Sequence, residues 1–187
     1  MAALVMDCPR CWSKKKDCPR CDGSGKVNDI QLSPHFKLSE MLESNTARAH
    51  GLANDPTPDQ LANLTRLCNE VLEPVRALVG PLRVNSGLRT EAVNKAVGGS
   101  ATSAHCHGLA ADLRPAVGTV KALVDAVIRS GLKLDQVIYE NPLKPWCHIG
   151  MLNPKDGSKR GQHLSMFIVD GEKTYEPFNT NDKRLTA

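Results

Sequence analysis

The stretch Ser103–Asp112, SAHCHGLAAD, decides how this chain is read. It sets His105 and Asp112 seven positions apart, with the small residues Gly108 and Ala110 between them. That spacing is wider than the i,i+4 pair of a helical HExxH site, so the two side chains belong to a loop and the strand after it. Gly108 and Ala110 keep the turn lean enough for both to converge. A further histidine, His148, follows in WCHIG, residues 146–150. One carboxylate oxygen and two imidazole nitrogens are the ligand types of a zinc ion whose fourth position stays open. A lone His-x6-Asp carries little; its company makes it specific. Ser86-Gly87-Leu88-Arg89 lies upstream, Gly98-Gly99-Ser100 lies between, and Tyr139-Glu140 precedes the last histidine.

This arrangement resembles the D-Ala-D-Ala carboxypeptidase-like zinc peptidases, which cut peptides of the bacterial cell wall and include many phage endolysins. The family pattern SGxR is met by Ser86, Gly87 and Arg89. SxHxxGxAxD is met by Ser103, His105, Gly108, Ala110 and Asp112, and the hydrophobic-His-hydrophobic strand by His148. The resemblance runs from about Leu32 to Phe178, opening with LSPHFKLSEML and closing near YEPF. It implies that His105, Asp112 and His148 hold a catalytic zinc ion. Glu140, at the family's YE position, is then the candidate general base. Other branches carry an acid three positions before the last histidine; here Pro145 stands there, so Glu140 acts from another loop or another acid does the work. Arg89 is the residue to clamp a substrate carboxylate or steady the oxyanion. Ser103 either adds a hydroxyl to the site or shapes the turn. Cys106 and His107 flank the first ligand and are its rivals. Alternation along 146–151 turns His148 one way and Cys147 the other, which argues against Cys147 as a ligand.

The chain has seven cysteines, and Cys8, Cys11, Cys18 and Cys21 form two Cys-Pro-Arg-Cys units offset by ten residues. Paired CxxC motifs in a reducing compartment point to a metal rather than to disulfides. The segment 1–27 has too little apolar material to fold by burial alone. It reads as a four-cysteine knuckle around a structural zinc, or else as a flexible cysteine-rich tail. Its second half, CPRCDGSG, resembles the CxxCxGxG unit of chaperone-type zinc fingers. Cys68, Cys106 and Cys147 read as small buried hydrophobes.

Residues 28–37 read as a linker into a peptidase domain over 38–180, with a tail at 181–187. Leu61, Leu64, Cys68, Val71, Leu72, Val75 and Leu78 follow helical spacing behind Thr57-Pro58, and Pro74 is expected to bend that helix or end it early. A strand over 82–86 follows, then a short helix over 91–97 behind Thr90 and a strand over 109–113. Val120, Leu123, Val124, Val127 and Ile128 predict another amphipathic helix, ended by Gly131. LDQVIY (134–139), WCHIGM (146–151) and LSMFIV (164–169) are strand candidates. Helices followed by strands around one site indicate an α+β fold, an antiparallel sheet with flanking helices.

With 187 residues the chain can hold one cored domain and a small appendage. Hydrophobic residues make up 41% but aromatic ones only 4%, so the core is expected to be aliphatic. The net charge of +4 suits anionic wall polymers without requiring them. No apolar run reaches the length of a membrane span. MAALVM is too short for a signal peptide, so synthesis in the cytoplasm is expected, with action at the wall after release or within a virion. The leading expectation is a zinc peptidase acting on peptidoglycan peptides, a phage or prophage lysin. The second is a catalytically idle, peptidase-like virion component docked on phage proteins through its knuckle. Nucleic-acid binding is disfavoured. The six basic residues of the first 27 are offset by three aspartates and a zinc–thiolate cluster, leaving about +1.

Overall fold

The computed structural model describes residues 5–140, 143–152, 157 and 160–185. The first four residues of the knuckle segment and the last two of the tail lie outside these. Strands β1 (Val5–Asp7) and β2 (Lys26–Asn28) pair antiparallel, Met6 opposite Val27, and close the cysteine-rich segment between them. Residues 28–37 are more than a linker. They contain β3 (Gln31–Ser33) and β4 (Phe36–Lys37), which pair and sink Leu32 and Phe36 into the main core. Two short helices follow, α1 (Leu38–Leu42) and α2 (Asn45–His50), the second capped by the Ser44 hydroxyl accepting from the Ala47 N–H.

Helix α3 (Pro58–Leu67) opens on a reciprocal cap. The Thr57 hydroxyl accepts the Gln60 N–H, and the Gln60 side chain accepts the Thr57 N–H. Pro74 does not end the helix, but the helix is distorted just ahead of it. The turn before it, Cys68–Leu72, widens to π geometry, with the Glu73 N–H donating to the Cys68 carbonyl five residues back. The wide turn re-registers the backbone bonds ahead of the proline ring, so α4 (Glu73–Val79) continues to Gly80.

The remaining elements are β5 (Leu82–Ser86), α5 (Glu91–Ala96), a 3₁₀ turn (Ala104–His107), β6 (Ala110–Pro115), α6 (Val120–Arg129), β7 (Gln136–Glu140), β8 (Trp146–Gly150), β9 (Gln162–Val169) and β10 (Glu172–Pro177). Strands β5 to β10 form one sheet in the order β10-β9-β7-β8-β6-β5. The expected antiparallel sheet is in fact mixed, because β7 and β9 run parallel. Strand β8 ends beside the start of β7, Gly150 opposite Gln136, and β9 begins at the same edge with Gln162 opposite Gln136. A strand begun there must run with β7.

The sheet has two distinct faces. On one, Ala111, Leu113, Val137, Tyr139, Cys147 and Ile149 pack with Val120, Leu123, Val124 and Val127 of α6 in an aliphatic core. The other carries Asp112 and His148, directly opposite one another across β6 and β8. The tail is docked: Leu185 is buried in the core and the Arg184 guanidinium lies 3.8 Å above the Phe167 ring.

Gly108 ends the 3₁₀ turn at φ +69°, where an added Cβ would lie 2.7 Å from the Gln60 carbonyl oxygen. Gly108→Ala is expected to lower the unfolding free energy by about 1–3 kcal/mol, measured by urea denaturation.

Candidate functional site

Each predicted site residue is set by its own element. Asp112 and His148 come from the centre of the sheet, His105 from the 3₁₀ turn, and Arg89 from the segment after β5. The three ligand-type atoms converge. His105 Nε2 lies 3.2 Å from Asp112 Oδ1 and 3.2 Å from His148 Nδ1, and His148 Nδ1 lies 3.0 Å from Asp112 Oδ1. Ligand atoms on a tetrahedral zinc ion at roughly 2.0–2.1 Å stand about 3.3 Å from one another, so the triangle has the size such an ion needs. All three residues are buried.

The tautomer agrees with the geometry. His105 Nδ1 lies 2.6 Å from the Gly87 carbonyl oxygen, which only accepts, so Nδ1 carries the proton and Nε2 presents its lone pair. Burial holds the His105 pKa below its ordinary value against the pull of Asp112, keeping the ring neutral. Burial alone would raise the Asp112 pKa, but the two histidines hold it well below the carboxylate range. A lone pair and a carboxylate oxygen facing one another in a buried space call for a proton or a cation between them.

Above the triangle opens a cleft of about 670 Å³. Glu140, at the end of β7, and Ser103 both line it. Burial raises the Glu140 pKa above the ordinary 4.5, partly offset by His148. The Arg89 guanidinium stands 3.7 Å from Asp112 Oδ2, with its Nε buried and without a hydrogen-bond partner. Two rivals fall away: His107 is exposed, its carbonyl accepting from the Asn63 amide, and Cys106 lines a separate cavity with it. Cys147 lies buried on the opposite face of the sheet, its thiol pKa pushed up by burial.

Sequence reading missed part of the cleft wall: Arg160, Gln162, Lys173 and Tyr175. Alternation along β9 and β10 was the available signal, but β10 is polar on both faces and does not read as a strand. Asp135 is fully buried and holds Arg160 at 2.5 Å.

The four cysteines form a second cluster. Cys8 and Cys18 Sγ stand 3.8 Å apart, and Cys11 and Cys21 Sγ 3.7 Å apart. A disulfide needs about 2.05 Å. Four thiolates on a tetrahedral zinc ion at roughly 2.3 Å stand about 3.8 Å from one another.

The family model described as Peptidase M15 matches residues 34–149, more than half of the chain. The chain belongs to this family. Its members are zinc metallopeptidases of the D-Ala-D-Ala carboxypeptidase-like type. No curated protein matches the chain. The matched span includes Arg89, His105, Asp112, Glu140 and His148. It leaves out the four-cysteine segment and the β9–β10 hairpin that completes the cleft.

Elemental analysis of purified protein is expected to give two zinc ions per chain. His105→Ala and Cys8→Ser should each remove one of them, from different clusters.

Proposed function

We propose that the protein is a zinc peptidase that hydrolyses an amide bond in peptidoglycan stem or cross-link peptides, as a phage or prophage lysin. The observation that carries this reading is the convergence of His105 Nε2, Asp112 Oδ1 and His148 Nδ1 at 3.0–3.2 Å on the floor of an open cleft. These residues would hold the catalytic ion, and Cys8, Cys11, Cys18 and Cys21 a structural one. A zinc ion in the first site supplies Lewis acidity and lowers the pKa of water towards neutrality.

The protein's own groups do the rest. Glu140, in its carboxylate form, takes a proton from the attacking water and hands it to the leaving amine. Burial, which raises its pKa, makes it a stronger base than an exposed glutamate. Arg89 meets the substrate carboxylate or the oxyanion with a charge-assisted contact. Ser103 adds a hydroxyl at the rim. Lys173 adds a second basic group to the cleft wall, which suits a peptide carrying carboxylates. No helix among the described residues is long and apolar enough to cross a membrane. The enzyme would meet its substrate after release through a pore made by another protein, or from a virion.

Incubation with purified sacculi should release new amino groups that map to one peptide bond, and a chelator should stop the release. Intact sacculi with fully zinc-loaded protein would defeat the proposal and favour an idle virion component. Glu140→Gln should keep both zinc ions and lose about 10²–10⁴-fold in turnover. A base works deprotonated, so kcat/KM should fall as pH drops through a value above 4.5, and this inflection should vanish in the Gln variant. Arg89→Ala should cost about 2–5 kcal/mol in kcat/KM while still binding zinc.

A further inference from the structure

We infer that the four-cysteine knuckle is an internal brace for Arg89, and that Asn54 is the positioning residue through which it acts. The knuckle lies outside the matched family span, yet it is docked on residues within that span. Trp12, its one aromatic side chain, is 5% exposed and packs against Ala47, Leu52 and Val93. The indole N–H donates to the Leu52 carbonyl at 2.8 Å, and the Arg48 guanidinium covers the ring at 4.7 Å. The knuckle thus spends its aromatic face within the chain instead of presenting it to a partner.

Both Cys-Pro-Arg-Cys turns grip the segment just beyond Leu52. The Asn54 N–H donates to the Pro9 carbonyl at 2.8 Å, inside the first turn. Arg10 of the first turn and Arg20 of the second both pair with Asp55, at 3.3 and 3.4 Å. Asn54 itself is fully buried. Its amide donates to the Leu42 carbonyl at 2.9 Å and the Leu88 carbonyl at 3.0 Å, and its oxygen accepts the Thr90 N–H at 3.0 Å. Leu88 and Thr90 are the two neighbours of Arg89. One side chain therefore fixes the backbone on either side of the guanidinium's residue, and the knuckle fixes that side chain's own backbone. Buried hydrogen bonds of this kind are costly to lose, so the constraint is stiff. Val93, in the Trp12 contact, lies on α5, which starts directly after Thr90 and leads to the Gly98–Ser103 rim of the cleft.

The role of Arg89 in catalysis rests on the reading proposed above; the brace rests on geometry alone, and the two are tested separately. Amide hydrogen exchange of the full zinc-loaded chain is compared for wild type, Trp12→Ala and Cys8→Ser. Residues 86–92 should exchange at least about tenfold faster in both variants, while Val120–Arg129 stays as protected as before. Trp12→Ala should retain both zinc ions and Cys8→Ser only one. Should either variant fold poorly, Asp55→Asn, which weakens only the pairs with Arg10 and Arg20, should show the same local pattern in smaller measure. On sacculi, Trp12→Ala should lower kcat/KM about tenfold, and that loss should largely disappear in an Arg89→Lys background, since both act on one element. Unchanged exchange at 86–92, equal acceleration across Val120–Arg129, or additive losses in the double variant each overturn the brace. An inactive wild type with the local exchange pattern intact overturns the peptidase reading and leaves the brace standing.

Discussion

The short contact from His105 Nδ1 to the Gly87 carbonyl is the constraint on which the site depends. It fixes the rotation and tautomer of one ring, and it ties the loop after β5 to the turn before β6. The Arg89 N–H returns the tie by donating to the His105 carbonyl at 3.2 Å. Two motifs eighteen residues apart thus form one rigid unit, with the His105 ring and the Arg89 guanidinium in fixed relation. Gly87 is obligatory there, because a Cβ would lie 2.5 Å from the Met41 carbonyl oxygen. Displacing that strand end would move His105 as well as Arg89.

The sheet supplies the other two members of the triangle by a different route. Asp112 and His148 are cross-strand partners, so their separation is set by the pleat and needs no loop to hold it. Ala110 and Gly150, paired one step along the same face, leave space beside them. The rigid half of the site therefore comes from backbone pairing. The adjustable half comes from a short turn, which explains why the turn carries so many bracing bonds.

The meeting of His105, Asp112 and His148 was anticipated through the family resemblance, whereas the cysteine cluster and most central strands were legible from residue type at a short spacing. Cys8, Cys11, Cys18 and Cys21 needed no tertiary information. What escaped depends on contacts between distant segments. The β3–β4 hairpin has only Leu32 and Phe36 to announce it, too few for a period. Strand β10 alternates Thr174 and Glu176 with Tyr175, so neither face reads as apolar, although Lys173 and Tyr175 complete the cleft. The parallel β7–β9 pair was invisible because periodicity has no direction. The single apolar Leu185 gave no sign that the tail docks. Pro74 was read correctly as a threat to its helix, but the remedy lay in hydrogen-bond register, which composition does not report.

That remedy makes the length of the helical segment part of its design. A π turn holds one residue more than the α turn it replaces, and each residue of an α-helix advances about 100° around the axis. Were Cys68–Leu72 to wind as α-helix with all its residues kept, the segment beyond would turn by about 100° and Val75 would leave the core it now occupies at 0% exposure. That rotation would also carry off Glu73, whose carboxylate accepts from the Ser33 hydroxyl and the His35 N–H. In this segment, spacing is a conserved quantity of the architecture in the same sense that volume is elsewhere in the core.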